Sequence, residues 1–300
     1  MARLEMMEIF VAVAEEQSFA GGARRLNLSA PAVTRAVAAL EERLGVKLLT
    51  RTTRYVRLTD AGQRYLEDAR RIVNEANEAD ETAAGINAEP RGHLSVTAPV
   101  LFGRMFVIPG IVAYLQRFPT MEIAAVFLDR IVNMLEEGID VGIRIGELPD
   151  SSMRAIRVGH VRQVLCASPG YLSEKGTPKS PDALSHHSLV VAATGSWSAI
   201  EWKFLEGEKI KTYKIKPRLS VTSNDAAIAA AIEGLGITRV MSYQAAPFLA
   251  SGHVQTLLSD YEPNRLPIHV LHREGRYASA KVRTFVDLMV ERLRADPFLN

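Results

Sequence analysis

Cysteine is almost absent from this chain of 300 residues: Cys166 is the only one, so neither an internal disulfide nor a thiol-rich metal site can form. Because Cys166 lies in an apolar run, we expect it to be a small core residue. Long apolar runs of about 18 residues are also lacking, so no transmembrane helix is expected. The first residues, MARLEMMEIF, lack the basic segment that opens a secretion signal. These absences predict a cytoplasmic protein without a membrane partner.

Catalytic and metal-binding motifs are lacking as well. The chain contains no GxSxG, Walker or HExxH pattern. The adjacent His186 and His187 cannot face one metal ion as an i, i+4 helical pair can. We therefore assign no catalytic residue, expect neither a metal nor a cofactor, and do not predict an enzyme.

Net charge is small, with 36 basic residues against 34 acidic ones, so any basic surface must be local. Residues 24–57 form such a region, where eight basic residues are opposed only by Glu41 and Glu42. Residues 60–87 instead carry seven acids against three arginines. Positive charge is thus confined to one small region, as contacts to DNA phosphates require.

Residues 1–59 have the pattern of three helices followed by a β-hairpin. Ser18 and Ser29 are each suited to cap the start of a helix, and Pro31 suits the first turn of the second one. Val33, Val37, Leu40 and Leu44 share one face of that helix, and Gly45 ends it. Two short β-like runs, 46–49 and 55–58, are separated by TRTTR. The region therefore predicts a winged helix-turn-helix domain.

The outward face of the third helix predicts a DNA-reading surface. With the apolar residues facing the core, Ala32, Arg35 and Ala39 face outward. Small residues around one arginine let a helix enter the major groove deeply, where Arg35 can reach a guanine edge or a phosphate. Thr34 flanks this face, and the wing would contact the backbone and the minor groove. The alternative is a solvated basic face on a small helical domain.

Residues 60–89 predict a long linker helix, roughly 40 Å in length if it extends to about Asn87. Its apolar seam alternates spacings of four and three and has small residues within it. The members of the seam are Tyr65, Ala69, Ile72, Ala76, Ala79, Ala83 and Ile86. A partner chain is the simplest way to bury this seam, which implies at least a dimer. The alternative is that it packs on the chain's own effector domain.

Residues 90–300 alternate short β runs with amphipathic helices, which predicts α/β layers. Two similar halves with a returning C-terminal segment indicate two lobes around a cleft. We assign residues 90–162 and 266–300 to lobe I and residues 163–265 to lobe II. The expected fold is thus α+β multidomain, with a winged helix-turn-helix, a linker helix and a two-lobed α/β effector domain.

Ligands of open α/β lobes bind beyond the carboxyl ends of strands, which places a candidate effector site in the cleft. Arg144 could pair with a carboxylate, while Phe102 and Trp197 would add apolar surface. The predicted set is Pro99, Val100, Leu101, Phe102, Asp129, Arg144, Gly146, Trp197, Thr222, Ser223 and Asn224. A small organic acid, with an aromatic group as one option, fits this set. Alternatively, Ser223 and Asn224 are simply helix caps and Arg144 holds a structural ion pair.

Residues 18–62 (SFAGGARRLNLSAPAVTRAVAALEERLGVKLLTRTTRYVRLTDAG) closely resemble the winged helix-turn-helix of LysR-type transcriptional regulators. The later runs EEGIDVGIRIGELPDSS, VLCASPGYL, NDAAIAAAIEGLGI and LPIHVL are similar to the effector domain of that family. The resemblance implies a periplasmic-binding-protein-like effector domain, a linker-helix dimer and often a tetramer.

By motif, the resemblance puts Pro31, Ala32, Thr34 and Arg35 at groove-contacting positions and Arg51 and Arg54 on the wing. The complete DNA-binding set is Arg24, Ser29, Ala30, Pro31, Ala32, Thr34, Arg35, Arg51, Thr52, Thr53 and Arg54. Two departures stand out. Ala30 occupies a position where many relatives have a polar base reader, so Arg35, Thr34 and DNA shape must carry more of the specificity. Gly21 and Gly22 lie inside the second helix at a cost of about 0.5–1 kcal/mol each, without a functional reason in the sequence.

The expected function is sequence-specific transcription regulation, modulated by a small-molecule effector. Its partners would be operator DNA, the effector and further copies of the chain, and RNA polymerase is a further partner that a regulator can have. The main alternative is a solute-binding protein with an accessory helical domain, against which the missing signal peptide and the basic region count. An enzyme that uses the cleft would need an acid–base pair, and none can be named.

Overall fold

The computed structural model describes residues 1–51, 56–84, 89–148, 153–193, 200–273 and 279–299, and within these ranges it leaves out the side chains of residues 51, 74, 75, 78 and 81–84. The chain divides into two compact units, Met1–Ala88 and Glu89–Asn300. Each unit has hydrophobic clusters of its own.

The N-terminal unit is a winged helix-turn-helix followed by a long helix. Its elements are α1 (Arg3–Glu15), α2 (Phe19–Arg25), α3 (Ala30–Leu44), β1 (Leu49–Arg51), β2 (Val56–Leu58) and α4 (Asp60–Ala84). Strands β1 and β2 pair antiparallel, with Leu49 opposite Leu58. The Ser18 and Ser29 hydroxyls accept hydrogen bonds from the amides of Gly21 and Ala32 at 3.1 and 3.3 Å. The predicted helix starts are therefore confirmed.

Helix α4 contributes to the core of its own unit. Leu66, Ala69 and Val73 are buried in the cluster that contains Phe10 of α1, and the ring of Tyr65 lies 5.6 Å from that of Phe10. Further along the helix, Ala79 is exposed. The seam is therefore divided. Tyr65, Ala69 and Ile72 of its first half pack within the unit, and Ala79 of its second half is exposed. The predicted end of the helix near residue 87 lies outside the described residues.

The structure supplies a packing reason for Gly22. A Cβ atom at this position would lie 2.8 Å from Val13 Cγ2 and 3.0 Å from the Val13 backbone nitrogen. At Gly21, a Cβ atom would lie 2.8 Å from the Cβ atom of Glu16. Helix α2 can pack this closely against α1 and the turn that follows it only because both side chains are absent.

Lobe I of the C-terminal unit is built on a mixed five-stranded sheet. Its elements are β3 (Gly92–Ala98), α5 (Val100–Phe102), a π-helical turn (Gly103–Val107), α6 (Ile108–Arg117), β4 (Met121–Phe127), β5 (Val141–Ile145), β6 (Met153–Val161), β14 (Leu266–Arg273) and α10 (Ala280–Ala295). The strand order is β4-β3-β5-β14-β6, with β14 antiparallel to both of its neighbours. The returning strand β14 thus completes the sheet between β5 and β6.

Lobe II has a second mixed sheet and a separate hairpin. Its elements are β7 (Gln163–Ala167), α7 (Pro169–Lys175), β8 (Leu189–Ala192), β9 (Ile200–Glu206), β10 (Lys209–Ile215), β11 (Leu219–Val221), α8 (Asn224–Ile232), β12 (Ile237–Met241), α9 (Ser242–Ala250) and β13 (Gln255–Leu257). The strand order is β11-β8-β12-β7-β13, and β9 and β10 pair with each other as a separate antiparallel hairpin. Cys166 is fully buried in this lobe, as expected.

Among the described residues, Val100–Arg117 is the one helical segment that is long and apolar enough, by length and composition alone, to cross a membrane. Its Phe102, Val107 and Tyr114 side chains are fully buried in the lobe I core. The apolar composition of this segment is thus that of a core helix.

Candidate nucleic-acid interface and ligand cleft

Helix α3 separates an apolar face from an exposed one. Val33, Val37 and Leu40 are at most 1% exposed, whereas Arg35 and Ala39 lie at the surface. Ala30 and Pro31 are exposed at the start of the helix, and Ala32 and Thr34 are half-buried. The Nε atom of Arg35 donates to the Pro31 carbonyl at 3.3 Å, which lays the guanidinium along the first turn. This face presents one cation among small side chains.

The two arginines at the end of α2 differ in their contacts. Arg25 pairs with Glu15 at 2.5 Å, and Glu15 also accepts from Arg70 at 2.7 Å, so one carboxylate links α1, α2 and α4. Arg24 is exposed, and the structure shows no ion pair for it within the described ranges. Of these two residues, Arg24 is thus the one available to a phosphate.

Glu41 anchors the wing to α3. Its buried carboxylate accepts from the amides of Leu48 and Leu49 at 3.0 and 3.1 Å and from Lys47 Nζ at 2.6 Å. Burial alone would raise the pKa of this carboxyl, but the hydrogen bonds from Lys47, Leu49 and Leu48 outweigh burial and hold the pKa below its ordinary value. From the sequence, Glu41 is only a charge that opposes the basic residues. No sequence pattern identifies its role as the acceptor of these hydrogen bonds.

Arg51 ends strand β1, and its side chain is not described. Thr52, Thr53 and Arg54 of the predicted wing tip lie outside the described residues. Ser29 is exposed and caps α3, which places it beside Ala30 at the start of the exposed face.

In lobe I, the turn after β3 meets the end of β4. The Val100 amide donates to Asp129 Oδ1 at 3.0 Å, and the Leu128 amide donates to the Ala98 carbonyl at 2.9 Å. The structure thus brings Pro99, Val100 and Asp129 together. Because the Asp129 carboxylate already bonds the first amide after Pro99, an external anion would have to compete with it there.

Leu101 and Phe102 do not offer an open surface. Leu101 is 5% exposed and Phe102 fully buried. The Phe102 ring packs edge-on against Tyr243 of lobe II, with centroids 5.4 Å apart, and Phe106 lies 5.6 Å from the same tyrosine ring. Tyr243 therefore joins the two lobes by packing into the lobe I core, and no sequence pattern marked it.

Arg144 lies near the end of β5, opposite His269 of the neighbouring strand β14. Its Nη1 atom donates to the Ile143 carbonyl at 3.3 Å, while Nη2 is buried without a hydrogen-bond partner in the described part of the chain. Burial lowers the pKa of Arg144, Glu137 opposes that effect, and Arg130 adds to it. The alternative role expected for Arg144 is a structural ion pair, and the structure shows none for it among the described residues. Gly146, with φ of +114°, closes this end of the strand.

The predicted lobe II residues surround the start of α8. Ser223 is its N-cap, Asn224 its first residue, and Thr222 is exposed before them. A hydrogen bond from Ser223 is the main cause that lowers the pKa of Asp225, with Arg104 of lobe I contributing at longer range. Arg104 and Asp225 are thus opposite charges on the two sides of the cleft, and both were missed by sequence reasoning.

Trp197, the remaining predicted cleft residue, lies outside the described residues. Across the part of the chain that is described, no three His, Cys, Asp or Glu side chains come together as a metal site. The described cleft residues therefore offer charge pairing and hydrogen bonding at both lobes.

A winged helix-turn-helix unit together with a two-lobed α/β unit defines a DNA-binding regulator with a ligand-binding domain. The family model for the bacterial regulatory helix-turn-helix protein, lysR family, matches residues 4–63, and the LysR substrate binding domain matches residues 87–294. The chain therefore belongs to the LysR family of transcriptional regulators, and it has the effector-binding domain of that family.

Individual relatives agree over nearly the full length. The chain is 31% identical over 290 residues to the transcriptional regulator CrgA of Neisseria meningitidis serogroup B, covering 96% of both chains. A solved structure of CrgA matches with a TM-score of 0.62 at 30% identity, covering 98% of this chain and 99% of that one. The full-length structure of AphB, a Vibrio cholerae virulence activator, matches with a TM-score of 0.61 at 26% identity, covering 97% and 99%.

A transcriptional repressor of Pseudomonas aeruginosa is 32% identical over 298 residues, covering 99% of this chain and 94% of the repressor. The similar proteins thus include both an activator and a repressor. Similarity to them therefore does not give the sign of regulation.

Proposed function

We propose that the exposed face of α3 reads operator DNA in the major groove and that Arg35 makes its central contact. The observation that carries this proposal is the position of Arg35, exposed among small side chains on the face opposite the buried Val33 and Val37. Ala30, Pro31, Ala32 and Thr34 surround it, while Ser29 and Arg24 lie where phosphates would pass. Arg51 and the wing tip residues Thr52, Thr53 and Arg54 would contact the backbone beside the groove.

The variant Arg35→Ala tests this assignment. We expect about tenfold or greater loss of affinity for an operator fragment, since one good base contact contributes about 1–3 kcal/mol. Operator fragments are first selected from random duplexes with the full-length protein, and affinity is measured by fluorescence anisotropy at fixed salt. Arg117→Ala, which removes an exposed arginine from the C-terminal unit, is the control. Equal affinities of the two variants would remove Arg35 from the interface.

We infer that the effector is a small organic acid whose carboxylate pairs with Arg144. The buried Nη2 atom of Arg144 has no partner among the described residues, and a buried cation of this kind is stabilised by an anion. Ser223 and Asn224 would supply hydroxyl and amide groups from lobe II. The bond between Val100 and Asp129 shifts the expected anion position away from the start of α5 and towards Arg144.

Thermal shift measurements with small carboxylates and their uncharged amides test the effector class. We expect a carboxylate, but not its amide, to raise the Tm of the wild type. The same carboxylate should leave the Tm of Arg144→Gln unchanged. Arg154→Gln, on the neighbouring part of the lobe I sheet, should respond as the wild type does. A response that survives in Arg144→Gln would contradict the assignment.

The protein is further proposed to act by binding and not by catalysis, in the cytoplasm, as a dimer or tetramer. Regulators of this family bind DNA and small-molecule effectors and form oligomers. Ala79, the exposed residue in the second half of the α4 seam, marks the proposed contact between copies, within a linker of residues 60–89. Contact with RNA polymerase would follow if the protein activates transcription.

A further inference from the structure

A cavity of about 260 Å³ lies where the chain passes between the two lobes, apart from the cleft described above. His160 lines it from the end of β6, Arg162 from the connection between β6 and β7, and Arg265 from the connection between β13 and β14. None of the predicted effector residues lines this cavity. Because these two connections link the sheets of the lobes, a ligand here would touch both of them at once.

The charged residues that line the cavity are all basic. Arg162 pairs with Glu262 at 2.8 Å, but Glu262 is not a lining residue. Arg265 donates a hydrogen bond to His160 Nε2, and no carboxylate pairs with it in the described part of the chain. Burial, and then the positive charges of Arg265, Arg157 and Arg162, lower the pKa of His160. Because Glu262 pairs with Arg162 and a lowered pKa favours neutral His160, the excess positive charge of the cavity is that of Arg265, which an anion would offset.

The rest of the lining is mainly apolar. Leu249 contributes to one wall, and Phe298 is 63% exposed at the rim. Ser242, at the start of α9, adds a hydroxyl. The volume is below the range for drug-sized ligands, so it suits a single small ring with one charged group.

We infer that this cavity is a second ligand site, which binds a small carboxylate with an apolar ring between Arg162 and Arg265. The carboxylate would pair with Arg265, and the ring would lie against Leu249 and Phe298. Since one guanidinium belongs to each connection between the lobes, occupation would favour the lobe arrangement in which the two arginines are close. The site would act in addition to the cleft and not in place of it.

Isothermal titration calorimetry of the full-length protein with phenylacetate tests this inference. We expect saturable binding, weakened about tenfold or more by Arg265→Gln, because a charge-assisted hydrogen bond is lost. Arg154→Gln removes an exposed arginine of the same strand as His160 and should bind as the wild type does. The neutral analogue 2-phenylethanol and the ringless acetate should each bind at least about tenfold more weakly.

Phe298→Ala provides a second readout at an exposed position, where folding is not at risk. It should weaken phenylacetate binding and leave that of acetate unchanged. The inference is overturned if phenylacetate does not bind the wild type, or if Arg265→Gln binds it equally well. If phenylacetate binding is lost in Arg144→Gln but not in Arg265→Gln, the inference is also overturned and the ligand is assigned to the cleft. The two proposed sites can therefore be told apart.

Discussion

At the scale of single residues, Glu41 has more influence on the N-terminal unit than its position in a basic region indicates. Its carboxylate holds two wing amides and one lysine, all within eight residues along the chain. A buried carboxylate with three donors is stabilising only while it is ionised. This side chain therefore helps to hold the wing against α3.

Glu41→Gln should lower the free energy of unfolding by about 1–3 kcal/mol at pH 7, because charge-assisted bonds to Lys47, Leu48 and Leu49 are weakened. Urea denaturation measures this change. Glu42→Gln, at the exposed neighbouring position, is the control and should have little effect.

The same residue predicts a pH dependence. Because the pKa of Glu41 is lowered in the folded state, its contribution is fully present above the ordinary value of 4.5 and is lost as pH falls through the folded-state pKa. Stability of the wild type should thus fall more steeply below pH 4.5 than that of Glu41→Gln. If the free energy of unfolding of the two proteins fell in parallel below pH 4.5, the stabilising role of the ionised Glu41 would be contradicted.

Gly22 makes a second prediction at this scale. Gly22→Ala should destabilise the protein by about 1–3 kcal/mol, because the added Cβ atom would overlap Val13 and the resulting overpacking exceeds the gain in helix propensity. Gly170→Ala in α7 is the matched control, since a Cβ atom there has no neighbour within 4 Å. Thermal unfolding should show a lower Tm only for Gly22→Ala, and similar shifts for both would show that close packing is not the reason.

At the scale of elements, the two halves of α4 differ in their burial. Leu66, Ala69 and Val73 attach its first half to the core of the N-terminal unit. Ala79 is exposed further along. A small exposed residue in an apolar seam lets a second helix approach closely. We therefore expect the second half of the helix to contact a partner chain.

Ala79→Glu should weaken self-association by about tenfold or more, because a charge would be buried in the helix contact. Asn77→Glu adds the same charge to an exposed position of the same turn outside the seam, and it should assemble as the wild type does. Sedimentation velocity over a range of concentrations measures both. Unchanged assembly of Ala79→Glu would place the contact between copies elsewhere.

At the scale of the whole molecule, the two units have separate hydrophobic cores. Strand β14 and helix α10 return to lobe I after lobe II is complete, so both lobes belong to one continuous folding unit. All the proposed DNA contacts lie in the other unit. Binding of DNA and binding of effector should therefore be separable by truncation.

A chain of residues 89–300 should fold, since its clusters include no residue of the N-terminal unit. We expect a cooperative thermal transition by circular dichroism and the loss of all operator affinity by fluorescence anisotropy. The full-length protein is the reference in both measurements. A truncated chain that still bound the operator would contradict the assignment of DNA binding to α3 and the wing.

The sequence by itself determined the features that act within a few residues. Ser18 and Ser29 cap helices through amides three positions away, and Gly45 takes the left-handed conformation that ends α3. The period of Val33, Val37 and Leu40 likewise oriented Arg35 to the surface. The family resemblance rests on the same local patterns, which is why fold class and function could both be predicted and are confirmed.

Tertiary structure alone decided what depends on residues distant in sequence. Tyr243 buries Phe102, Asp129 bonds the amide of Val100, and Tyr65 and Ala69 of the α4 seam pack into the core of their own unit. Composition and periodicity say that a residue is apolar or charged, but they do not say which partner reaches it. The physical reason is that close packing and hydrogen bonding are satisfied between specific atoms, and chain topology brings those atoms together.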